Sequence, residues 1–232
     1  MANRPVFMPK LDSDSFGVVT KDVEFKWFPG MSKSQKQKSV LSLHDASHEL
    51  GISPILEVSS KSELDLGVNL SAFNLLITTK KRNKSFTVET AFQSSKVFES
   101  GGPYTDLLGG TSLQAKKDMR LRESGNLVGF NFFNKDFPLK PRTYFYDWLY
   151  INALHQNKEL SDEIMKYRGF TDIEFNPKKS INCQAYSAAL YVSLRSLGVI
   201  NEALTSPEAF LAVLIDEYER LDDSLLIQSK LL

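Results

Sequence analysis

Segments with the two-residue period of a strand and segments with the 3.6-residue period of a helix follow one another along this chain in irregular order. That order is the strongest constraint on the fold. A doubly wound parallel sheet needs strand and helix to alternate, so the pattern predicts an α+β architecture instead: a mainly helical single domain with a small sheet. VEFKWF (23–28) reads as a short strand stopped by Pro29-Gly30. ILEVSS (55–60), part of LSAFNLLITTKK (70–81), NLVGFNFF (126–133) and TDIEFN (171–176) read as further strands, with KRNK (81–84) a basic turn. Helices are predicted over 33–50, where Val40, Leu43 and Leu50 recur and Gly51 follows as a C-cap. Others are predicted over 86–99 with Thr87 as N-cap, over 112–123, over 144–157 with an aromatic core stripe, over 183–198 stopped by Gly198, and over 207–221.

Composition excludes several classes. A chain of 232 residues can bury one sizeable core without a disulfide or metal staple. Lys plus Arg and Asp plus Glu each total 28, which argues against a wholly basic nucleic-acid coat. The balance hides a segregation. Residues 61–122 hold 10 basic against 6 acidic side chains, and residues 123–232 hold 11 against 15. The lone Cys183 cannot form an internal disulfide and points to a reducing compartment. No apolar run reaches the ~18 residues of a membrane span, and the first residues lack a signal-peptide core, so a cytoplasmic location is expected.

Most chemical motifs are absent. There is no G-x-x-x-x-G-K-[ST] and no G-x-G-x-x-G; GGPYTDLLGG (101–110) reads as a flexible surface loop. His44 and His48 have ligand spacing, but without the Glu of H-E-x-x-H they read as a solvated helix face, and no metal site is expected. His155 suits a helix C-terminus, and Cys183 reads as a buried, inert thiol. The helix at 86–99 is different. At ~100° per residue, Val88, Ala91, Phe92, Ser95 and Phe98 share a core side. Glu89, Gln93 and Lys96 fall within about one sixth of the circumference beside it. A carboxylate, an amide and an amine on one spot make either a salt-bridged surface face or, if partly buried, a pocket in which an amine becomes nucleophilic.

The same residues carry a resemblance. LSAFN…FTVETAFQSSKVF (70–98) is similar to the signature of the NADAR superfamily, a Ser-Asn-Phe turn followed by a V-E-x-x-F-Q-x-x-K-F helix; Ser71, Phe73, Val88, Glu89, Phe92, Gln93, Lys96 and Phe98 fit. SLQAKKDMRL (112–121), INALHQNKEL (151–160) and TDIEF (171–175) resemble later segments in the same order, covering roughly residues 66–186 together. Ala72 stands where the family has Asn, FNPKKSINCQA (175–185) stands in place of a closing Asp…Trp-Gly, and the first 60 residues look additional. These departures resemble the NADAR branch paired as antitoxin with DarT-type toxins, which modify guanine bases in DNA. The resemblance implies a N-terminal extension (1–65) packed on a NADAR-like catalytic domain (66–222), and a C-terminal tail (223–232).

It also implies an enzyme that takes ADP-ribose off guanosine in DNA by cleaving an N-glycosidic bond, with ADP-ribosylated guanosine and a cognate DarT-type toxin as partners, no membrane partner and no cofactor. Lys96 is then the nucleophile, passing through an imine, and Glu89 stabilises the developing cation or shuttles a proton to guanine. Gln93 holds a ribose hydroxyl, with Ser71 and Asn74 of the turn as further substrate contacts. Tyr104 stacks on a base or sits in core or surface. Lys116, with Lys117, suits a diphosphate or an exposed helix face. Asn176 and Asn182, with Lys178 and Gln184, form a polar segment suited to base or ribose recognition. Two rival functions share parts of this pattern: an N-glycosidase of riboflavin-pathway intermediates, and a non-catalytic module that binds ADP-ribose or the toxin, with Trp27-Phe28 as an anchor if exposed.

Overall fold

The computed structural model describes residues 1–12, 15–79, 83–177 and 180–230, with side chains as far as Leu221. In chain order the elements are β1 (Ala2–Pro9), β2 (Val18–Phe25), α1 (Lys33–Glu49), β3 (Ile55–Glu57), α2 (Asp65–Asn69), β4 (Leu76–Thr78), β5 (Ser85–Thr87), α3 (Val88–Ser94) and β6 (Lys96–Phe98). After a 3₁₀ turn at Thr105–Gly109 come α4 (Ser112–Lys117), α5 (Arg120–Glu123), β7 (Leu127–Phe132), β8 (Lys135–Phe137), α6 (Tyr144–Gln156), α7 (Lys158–Glu163) and β9 (Gly169–Thr171). The chain ends with α8 (Gln184–Ser196), α9 (Ile200–Ala203) and α10 (Pro207–Lys230). The result is α+β, as expected. Helix occupies 46% of it, and the description as mainly helical is not upheld.

Among the described residues, three sheets frame the core. The largest has the order β2-β1-β9-β3; β4 pairs with β5, and β6-β7-β8 form the third. β1 and β2 run antiparallel from Ala2↔Phe25 to Pro9↔Val18. β1 meets β9 only at Phe7↔Phe170, which leaves Pro5 free of any ladder bond toward β9. Pro5 and Pro9 are why this strand does not read as one in the sequence. β3 and β9 pair in parallel, Glu57 beside Thr171, across more than a hundred residues of chain.

Between the sheets lie α6 and α8. α6 buries Tyr144, Phe145, Tyr146, Leu149, Tyr150, Ile151 and Leu154, and α8 buries every residue from Ala185 to Leu194. The aromatic stripe read over 144–157 is indeed core, and α8 also buries Ser187 and Ser193, whose hydroxyls bond to Asp147 and to the Lys10 carbonyl. α1 starts at the Ser32 cap, whose hydroxyl accepts from Gln35 N, and ends at Gly51, whose φ of 78° suits glycine. The N-terminal strands are tied to the C-terminal helix by Glu217, which accepts from Val18 N (3.0 Å) and Tyr186 Oη (3.1 Å). Trp27 is half-buried between Arg4 and Lys36, each facing its ring at 5.3 and 4.8 Å, so it serves packing.

Several boundaries differ from the sequence reading. β2 ends at Phe25 rather than at 28, and β9 ends at Thr171, so Asp172–Phe175 is a turn. The helix predicted over 112–123 is two, broken at Asp118, whose ψ of 128° is extended. The helix predicted over 86–99 stops at Ser94. The hydroxyls of Ser94 and Ser95 both bond back to the Ala91 carbonyl (3.0 and 2.7 Å), and Asn131 N captures the Ser95 carbonyl at 2.7 Å. Side-chain competition and sheet pairing together end the helix there. Lys81 and Arg82 of the basic turn, Lys80 before it, and Lys178 lie outside the described residues.

Candidate active site

The carboxyl ends of the parallel strands β3 and β9 open into a cleft of about 930 Å³. Such ends are where open sheets tend to bind ligands, because the chain turns away there and leaves a crevice. Ser59–Lys61 follow β3 into it, and Asp172 and Glu174 follow β9. The opposite wall is α3 with Glu89, Phe92 and Gln93, then Lys96; Lys116 comes from α4 and Tyr146 from α6. Ser180, Ile181, Asn182 and Gln184 close one end, Leu139, Lys140 and Arg142 another.

Glu89, Gln93 and Lys96 therefore do converge, though for a different reason than the helical wheel suggests. Glu89 and Gln93 are four apart on α3, and Gln93 Nε2 donates to Glu89 Oε1 at 3.0 Å. Lys96 is the first residue of β6, paired with Phe130, and reaches the same cleft from the sheet. Glu89 is only 6% exposed, which rules out the solvated salt-bridged face. The Lys96 ammonium lies 4.9 Å from the Phe92 ring centroid. Burial holds its pKa below the usual lysine value; Glu89 pushes it back up and Lys116 pushes it further down. An amine so placed deprotonates more readily than a surface lysine and becomes a nucleophile.

The loop at 101–110 supports Lys96 directly. Gly102 has a φ of 86°, and a Cβ there would collide with the Lys96 carbonyl oxygen and lie 3.3 Å from Val97 Cα. The glycine lets two backbones touch, so the loop is a strut for β6 and not merely a flexible surface segment.

Three polar atoms lining the cleft, Ser71 Oγ, Gln93 Oε1 and Asn182 Oδ1, are buried and make no hydrogen bond to protein. Buried polar groups are nearly always paired, and each exception asks for a reason. All three belong to residues that line this one cleft. Lys116 reaches the cleft with its ammonium 5.0 Å from the Phe73 ring.

Other sequence-derived residues sit elsewhere. Asn74 is exposed outside the cleft, its Nδ2 donating to the Val68 carbonyl at 2.8 Å. Tyr104 is also outside: its hydroxyl shares a short hydrogen bond with Ser124 Oγ, and the Arg120 guanidinium covers its ring at 4.4 Å. Arg120 in turn holds Asp106 and Asp118. Asn176 lies outside the lining, its carbonyl accepting from Ser180 N. Gln184 lines the cleft, but both ends of its amide are in use, accepting from Ala72 N (2.7 Å) and donating to Asp172 Oδ2 (2.9 Å).

A carboxyl pair went unread in the sequence. Glu57 is buried and accepts from Ser59 Oγ (2.6 Å), Thr171 Oγ1 (2.7 Å) and Ile173 N (2.9 Å). Burial raises its pKa. Asp172, close enough to feel that charge, is pushed up to about 8 by burial first and by Glu57 second. Because the Thr171 hydroxyl gives its hydrogen to Glu57, it accepts from His44 Nε2 at 2.9 Å. Burial lowers His44 to about 4, so it is a neutral, packed histidine and not part of a solvated face. His155 is likewise held low by burial and meets Tyr191 Oη at 3.3 Å. Burial pushes the Cys183 thiol up, which makes it unreactive. Among the described residues no group of three or more His, Cys, Asp or Glu is placed to hold a metal ion, and no helix is long and apolar enough to cross a membrane.

A desolvated lysine and a buried carboxylate, two residues beyond and two residues into one short helix, define an α+β protein with a NADAR-type cleft. The chain belongs to the family of DarT1-associated NADAR antitoxins, which it matches over residues 2–223. The match begins in β1 and so takes in the strands and helix that precede the signature segment. NADAR proteins as a class are N-glycosidase-like hydrolases, and the family name associates the chain with a DarT1 toxin. No curated protein matches the chain.

Proposed function

We propose that the protein removes ADP-ribose from guanosine bases of DNA by cleaving the N-glycosidic bond between ribose C1 and the guanine exocyclic nitrogen. The observation that carries this reading is the shared cleft of Lys96 and Glu89, beside three buried polar atoms without protein partners. Cleavage leaves an oxocarbenium-like centre, which calls for a nucleophile and a nearby carboxylate. The Lys96 amine attacks C1 with its lone pair, and the C1–N pair leaves with guanine, which takes up a proton. Ring opening then turns the lysine adduct into an imine; water hydrolyses it, frees ADP-ribose and restores the amine. Glu89 faces the positive charge developing at C1. Ser71, Gln93 and Asn182 bind ribose or base hydrogens. Lys61, Lys116, Lys140 and Arg142 on the rim supply a positive field for the diphosphate and the flanking strand. Asn74, Tyr104 and Asn176 are better read as supports of the surrounding loops.

The test is incubation with guanine-ADP-ribosylated DNA, reading released ADP-ribose. Wild-type protein should release it, and Lys96→Ala should keep the fold and lose release by at least about 100-fold. Full activity of that variant would remove lysine catalysis. Borohydride should trap a lysine adduct on the wild type; an active enzyme with no adduct points to direct displacement by water. Binding without turnover would favour a masking module, and release of sugar from riboflavin-pathway intermediates alone would favour the other glycosidase reading.

A further inference from the structure

We propose that Asp172 is the acid that protonates the departing guanine, so that Glu89 is left to face the charge at ribose C1. This rests on the glycosidic reading of the cleft and adds a second carboxyl group to it. Asp172 stands just past the end of β9 and lines the cleft. Its carboxyl is held at both oxygens, Oδ1 accepting from Glu174 N at 3.0 Å and Oδ2 from Gln184 Nε2 at 2.9 Å. The chain of bonds continues. Gln184 Oε1 accepts from Ala72 N, and the Ala72 carbonyl accepts from Glu89 N at 2.8 Å. One string of hydrogen bonds therefore ties the Asp172 carboxyl to the backbone of Glu89 at the start of α3, on the far wall of the same cleft.

The surroundings of Asp172 keep a proton on it. Facing it are Glu57 from β3, Glu174 in its own turn, Tyr146 and Tyr150 from α6, and Cys183 before α8, all acidic or neutral at pH 7. His44 of α1 reaches the pair only through Thr171, and as a neutral ring. Two buried carboxyls that feel each other's charge do not both ionise readily. Glu57, with three donors on its oxygens, is the better seat for the negative charge, and Asp172, with two, takes the proton. With its pKa raised to about 8, Asp172 is a carboxylic acid at neutral pH. This is the division of labour by which one site runs two carboxyls in two roles.

The step balances without any further reagent. As the C1–N pair moves onto guanine, the Asp172 O–H bond breaks and an N–H bond forms at the exocyclic nitrogen. The new Asp172 carboxylate is opposed by the Glu57 charge and is reprotonated from solvent water before the next turnover.

The experiment uses the full chain, guanine-ADP-ribosylated DNA and single-turnover release of ADP-ribose across a pH series, for wild type, Asp172→Asn and Glu57→Gln. Wild-type rates should fall on the alkaline side as Asp172 ionises. Asp172→Asn should lose about 100-fold in rate at pH 7 and show no alkaline decline. Glu57→Gln keeps Asp172 but removes the charge that holds its proton, so the pH optimum should move down. Asp172→Asn with the wild-type rate and alkaline decline would overturn the role of Asp172 while leaving the glycohydrolase reading intact. An optimum unmoved in Glu57→Gln would overturn the pairing that keeps Asp172 protonated. No release by the wild type at any pH would overturn the glycohydrolase reading itself.

Discussion

Gly102→Ala tests whether the glycine-rich loop is a strut for the catalytic lysine. At φ 86° an alanine is forced into the left-handed region, at about 1–2 kcal/mol. Its methyl also meets backbone on two sides: the Lys96 carbonyl oxygen, inside van der Waals contact, and Val97 Cα at 3.3 Å. Neither neighbour is the flexible end of a side chain, so the strain falls on β6, at about 1–3 kcal/mol for overpacking of this kind. The sum is about 2–5 kcal/mol. For a chain of this size each kcal/mol lowers Tm by ~2–4 °C, so the melting temperature should fall by at least about 4 °C. The assay is thermal unfolding beside Gly109→Ala, where nothing lies within 4 Å of the new Cβ and the change should stay within ~0.5 kcal/mol. Because the displaced strand begins with Lys96, ADP-ribose release by Gly102→Ala should also drop at temperatures where it remains folded. Equal melting temperatures for the two variants, with full activity in both, would refute the reasoning.

Two further outcomes follow from the charges. Lys116 lowers the pKa of Lys96, so Lys116→Gln should raise it; since the amine acts unprotonated, the optimum of ADP-ribose release should move to higher pH, and a single-turnover pH series checks this. His44 titrates near 6.5 when unfolded and at about 4 when folded, so the stability it contributes is complete above 6.5 and is lost as pH falls from there through 4, by roughly 3 kcal/mol. His44→Gln, which can still donate to Thr171, should lose that part of the acid slope in denaturant titrations at about pH 7 and pH 4.

Local pattern made much of the architecture readable. The aromatic stripe of α6 announces a core helix, Ser32 and Thr87 cap α1 and α3 as their types suggest, and Gly51 and Gly198 end helices at positive φ. Each of these depends on residues within a turn or two of one another. The exit from α3 was less legible, because it depends on competition. The run after Ala91 keeps a helical period, yet Ser94, Ser95 and the distant Asn131 pull the chain into a sheet.

By itself the sequence determined which chemistry is available: an amine, an amide and a carboxylate within eight residues, the last two held four apart on one helix behind the Thr87 cap. It also carried the family, since the segments that resemble NADAR proteins keep their order along the chain. Only the tertiary structure decided how that chemistry is tuned. The parallel pairing of β3 with β9 brings Glu57 and Asp172 together from positions more than a hundred residues apart, and no local pattern distinguishes either from a solvated acid. Burial then lowers the pKa of Lys96 and raises that of Asp172, for one reason in both cases: removal from water disfavours whichever form carries the charge.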